Sequence, residues 1–132
     1  AENVRRLIVE GNLELANAAR RKMAIEFNGW RLPANQFLAL ISGYIKQKQW
    51  DDSIPLLIEY IRHYNENTAR VRLQLARLLV EHDRRPAQAL SVMAKIPESE
   101  LTDQFRQLRD QISAKARQMQ AEGEVELETE DW

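Results

Sequence analysis

The sequence predicts an all-α fold of antiparallel helical hairpins stacked as a short right-handed superhelix of about seven helices. Three observations carry that expectation. Apolar residues recur three and four apart along nearly all of the 132 residues, the period of helices that bury one face. Ala, Leu, Arg, Gln and Glu dominate, the side chains that lose least on entering a helix. The 4 Gly and 4 Pro are too few for the turns of an all-β domain, and they fall between the periodic stretches.

In chain order, Gly11-Asn12 closes a first helix over residues 2–10, and a second runs over 13–27 to Asn28-Gly29. Pro33 introduces a third over 34–48. Asp51 or Asp52 is the expected cap of the next, with Pro55 tolerated in its first turn, where the missing N–H matters least. Asn67 is the expected cap of a helix over 68–82, and Pro86 opens a short one reaching Lys95. Pro97 precedes a long final helix over 98–120, with Glu98, Glu100 and Asp103 at its positive end. Its stripe of Leu101, Phe105, Leu108, Ile112, Ala116 and Met119 fits a terminal helix that packs on one side and solvates the other.

Net charge is −1, but residues 122–132 hold six acids and no base. Without them, 19 Lys and Arg stand against 14 Asp and Glu, so a basic body of +5 carries an acidic tail. So many carboxylates with few apolar groups predict a disordered tail. The longest apolar run, Phe37-Leu38-Ala39-Leu40-Ile41, is far short of the roughly 20 residues that span a bilayer. The chain has no Cys and no signal-peptide pattern, so the cytoplasm is the expected compartment. It opens without an initiator Met, inside an expected helix, and is readable as a domain of a larger protein.

The small residues Ala16, Ser53 and Ala89 begin the second helix of successive hairpins, 37 and 36 residues apart. In the middle unit Phe37, Leu40-Ile41, Tyr44, Trp50 and Ser53-Ile54 surround that position. In the third, Leu75-Ala76, Leu79 and Ala89-Leu90 do, with Arg72 where a large apolar residue is usual. The first unit supplies Val4, Leu7, Gly11, Leu13 and Ala16. With this spacing the chain resembles the tetratricopeptide repeat family over about residues 4–97, as units 1–33, 34–66 and 67–97. The terminal helix completes a domain over 1–121, ahead of the 122–132 tail.

The resemblance implies a protein-protein interaction scaffold without catalysis, binding through the first-helix faces that line a concave groove. The groove positions fall on Arg5 and Val9, on Asn35, Leu38, Ser42 and Lys46, and on Arg70, Leu73, Arg77 and Glu81. Arg5, Lys46, Arg70 and Arg77 against one Glu81 favour a protein or peptide partner that is acidic. Better-known relatives clamp a terminal carboxylate. Here Arg70 replaces one clamp base, but Ala1, Arg5, Ala39 and Gln74 stand at other clamp positions, so the full clamp is absent.

No Gly-rich phosphate loop, nucleophile motif or metal-ligand spacing is present. His63 and His82 read as helix-end residues. No cofactor, metal or small-molecule substrate is therefore expected. The stretch Leu40 to Trp50 also looks like a pentatricopeptide unit, an RNA-reading hairpin, but a single unit in a chain of net charge −1 argues against nucleic acid. The alternative is an oligomerisation module of a larger protein, with Trp30, Phe37 or Trp132 exposed at the interface. The alternative to a disordered, solubilising tail is that Glu124 to Asp131 fold onto the basic groove, of this chain or of a neighbour, as an internal competitor.

Overall fold

The structure, a computed structural model, describes residues 2–132. Ala1, at one of the clamp positions, lies outside them. The chain divides into two compact units that part between Ser53 and Ile54. Among the described residues it holds seven α-helices, one 3-10 turn and no strand.

The first unit contains α1 (Glu2–Val9), α2 (Leu13–Glu26), α3 (Ala34–Lys46) and the start of α4 (Trp50–His63). Gly11, at φ 81°, turns α1 into α2. Its N–H reaches the Ile8 carbonyl at 3.0 Å while the Asn12 N–H reaches that of Leu7 at 2.9 Å. This pair of bonds satisfies carbonyls that a helix end would leave open. Lys48 closes α3 in the same way at φ 58°, bonding Ile45, with Gln49 bonding Tyr44. Helices α1, α2 and α3 pack on one another around Val4, Leu13, Ala16, Phe37, Leu40 and Tyr44. Gly43 is needed for that approach, because a Cβ there would stand 2.8 Å from the Leu13 side chain.

The second unit contains the rest of α4, then α5 (Thr68–Glu81), α6 (Pro86–Ala94), the 3-10 turn Glu98–Glu100 and α7 (Asp103–Ala121). Helix α5 packs against both α6 and α7. It buries residues on several sides, among them Val71, Leu73, Leu75, Leu78 and Val80. Such a helix takes its stability from its neighbours, since no single stripe faces the core.

Two expected helix starts and one expected cap need correction. Helix α4 begins at Trp50, so Asp51 and Asp52 lie in its first turn, where they complement the helix dipole without being the cap. Asn67 stands at the cap position of α5, but its left-handed backbone (φ 55°) takes its side chain out of capping. The final helix starts at Asp103 and not at residue 98, because Thr102 caps it by accepting from the Phe105 N–H at 3.1 Å.

Ala16, Ser53 and Ala89 are each 0% exposed. A larger side chain at such a point has no room, and overpacking a filled interior costs about 1–3 kcal/mol. Ala89→Leu should therefore lower stability by about that amount, while Ala94→Leu, exposed on the same helix, should change it by less than about 0.5 kcal/mol. Urea denaturation of the two variants measures the difference.

Candidate functional site

The groove residues of the first unit lie on α1 and α3. Asn35, Leu38, Ser42 and Lys46 follow at three- and four-residue steps and so share one helix face. Leu38 is half-buried and the others are exposed. Asn35 folds its Oδ1 back onto the Gln36 N–H at 3.0 Å. Arg5 is exposed and reaches Glu2 one turn earlier, at 3.7 Å, a solvated pair that holds it weakly. In the core beneath, sequence reasoning missed Arg20. Its guanidinium is buried 4.7 Å from the Phe37 ring centre, and Asn17 Oδ1 accepts from it at 3.1 and 2.8 Å.

In the second unit Arg70, Leu73, Arg77 and Glu81 come together along a cleft between α5 and α7. Two adjoining depressions share Arg77 and Leu108. Their floor is apolar, from Leu73, Val80, Phe105, Leu108 and Ile112, and their rim carries Arg70, Arg77 and Lys115 against Glu81. Leu73 is not the open contact expected of it. It is 1% exposed, because α7 lies across this side of α5. In exchange α7 contributes Phe105 and Leu108, both half-buried. The sequence held a signal for them: they belong to a stripe that a terminal helix has nothing further to cover.

An apolar floor with a basic rim suits an extended segment that offers a carboxylate and an aliphatic or aromatic side chain. Among the described residues no group of three His, Asp or Glu is placed to hold a metal ion. His63 is exposed in the last turn of α4, and His82 Nε2 stands 3.9 Å from Glu81. No described helix is long and apolar enough to cross a membrane.

The large apolar groups expected at an oligomer interface are elsewhere. Phe37 and Trp132 are buried and Trp30 is half-buried, whereas Val9, Leu15, Ile25 and Phe27 are exposed.

The acidic tail forms no helix or strand, yet it lies against the second unit and does not hang free. Its contacts go to Arg72, Arg84, Arg85, Gln88 and Lys95, and not to Arg70 or Arg77 of the expected groove. Composition suggested disorder because it counted each carboxylate as solvated, whereas here those of Glu124, Glu126, Glu130 and Asp131 meet cations or helix N–H groups. Arg72, the departure from the repeat pattern, donates to the carbonyls of Val92 at 3.2 Å and Trp132 at 3.0 Å.

Hydrogen bonding to Lys95 and the charge of that ammonium, with Arg72 adding, hold the Asp131 carboxyl below its ordinary range. A carboxyl depressed in the folded state stabilises above its unfolded pKa and loses that contribution as pH falls through the folded value. In a Trp30→Phe, Trp50→Phe background, the fluorescence of Trp132 should stay constant from pH 7 to 5. It should report exposure below about pH 4, before helix circular dichroism falls. A tail signal that persists until the helices melt would refute the ionic anchor. Neither a protein-family model, nor a curated protein, nor a solved structure matches the chain.

Proposed function

We propose that the chain is a tetratricopeptide-like interaction scaffold that holds an acidic, extended segment of a partner protein and performs no catalysis. The observation that carries this reading is the α5–α7 cleft, with its floor of Leu73, Phe105 and Leu108 and its rim of Arg70, Arg77 and Lys115. Phe105 and Leu108, both half-buried, provide the apolar burial on binding. The guanidinium groups favour carboxylates by charge-assisted hydrogen bonds. Helix α5 sets their spacing, since Arg70, Gln74, Arg77 and Glu81 recur on one face.

Selection of peptides from a random display library on the full chain should enrich acidic sequences containing an aromatic or aliphatic residue. Their affinity should fall at least tenfold between 50 and 500 mM salt, as screening of partly exposed charges requires. The Arg70→Glu, Arg77→Glu double variant should abolish the enrichment. Enrichment without acidic bias, or retained in the double variant, would contradict the proposal.

A further inference from the structure

The first turn of α6 has no cap of its own. Arg85, at the cap position, makes no side-chain cap bond, and Pro86 follows it. The free N–H groups of Ala87 and Gln88 are met instead by the Glu126 carboxylate, at 2.7 and 2.9 Å. One carboxylate thus takes two helix N–H donors with both oxygens, from 39 and 38 residues further along the chain. It lies where the helix dipole most favours an anion.

One turn of helix carries a second, unusual group. Gln88 is 0% exposed, and burial of an amide costs free energy unless both of its ends are paired. Its Nε2 donates to the Glu130 carbonyl at 2.8 Å, and its Oε1 accepts from the Glu130 N–H at 2.5 Å. A primary amide that pairs reciprocally with one residue's main chain acts as a short piece of β-ladder. It recognises extended backbone whatever the side chain. Around it, Arg85 donates to the Glu128 carbonyl at 3.2 Å and places its guanidinium 5.2 Å from the Trp132 ring centre, within reach of a cation–π attraction.

Of the large apolar groups in this segment only Trp132 is buried. Val125 and Leu127 point outward, 94% and 80% exposed, while Glu126 and Trp132 face the helices. The segment also begins directly after Gly123, at φ 83°, a position at which the chain can change direction without strain.

We propose that the N-terminal turn of α6, with Arg72, Arg85 and Gln88, is a receptor for extended acidic peptides, and that Glu124–Trp132 is its tethered occupant. The peptide it fits places a carboxylate six residues before an aromatic side chain, with open main chain between them for Gln88. This surface is separate from the α5–α7 cleft and stands or falls independently of it. A tethered segment competes at an effective concentration in the millimolar range, so a free ligand enters only when it binds tightly or when the tail is drawn away.

The test uses the full chain and a fluorescein-labelled peptide of residues 124–132, followed by anisotropy. Glu126→Ala, Trp132→Ala protein, whose own tail lacks both anchors, should bind the peptide at least tenfold more tightly than the unaltered chain. Adding Arg85→Glu to that variant should remove the binding. The milder Glu126→Gln protein, which keeps the shape of the tail, should lie between the two. Equal binding by altered and unaltered chains, or binding indifferent to Arg85→Glu, would overturn the proposal. So would dimerisation of the unaltered chain that Trp132→Ala abolishes, since the tail would then serve to exchange between copies.

Discussion

Helix packing in this protein rests on small residues sealed from solvent at the hairpin period: Ala16, Ser53 and Ala89 are each 0% exposed. Interiors are as dense as organic crystals, so one added branch at such a point must push helix axes apart. Ala89 lies sealed in α6, which packs on both α5 and α7, and α7 in turn packs on α5. That covering turns Leu73 into a floor and leaves Arg70 and Arg77 at a rim.

Most of the helical framework was legible because it rests on local chemistry. The small residues repeat at a hairpin period, and Gly11, Gly29 and Gly123 stand where the backbone turns left-handed. The misplaced start of α4 has a local cause as well. Lys48 adopts φ 58° and ends α3 as a glycine would, and a left-handed lysine carries no mark in the sequence. The acidic pair after it consequently looked like the first cap to hand.

The candidate site was half legible. Arg70, Arg77 and Glu81 follow from the helical period alone, but the burial of Leu73 depends on the packing of a helix some thirty residues later in sequence. Arg72 and Gln88 were opaque for the same reason. Arg72 broke the repeat pattern, and its partner, the Trp132 carbonyl, lies sixty residues away. Gln88 carries no mark in the sequence, and only the position of Glu130 shows why a buried amide is tolerated there. Charge counting failed on the tail because it sums acids and bases without pairing them.

On the proposed reading both basic surfaces would bind by one logic. Side chains fixed on well-packed helices present guanidinium or N–H donors, so an extended acidic segment meets groups that need little reordering on binding. The cleft adds an apolar floor, while the α6 site adds a backbone-reading amide. Nuclear magnetic resonance of the isotopically labelled full chain, titrated with an acidic peptide that binds it, tests the central claim most directly. The account predicts the largest amide and side-chain shifts at Arg70, Gln74, Arg77, Phe105 and Leu108. Shifts confined to α1 and α2, with the α5–α7 cleft unmoved, would contradict it.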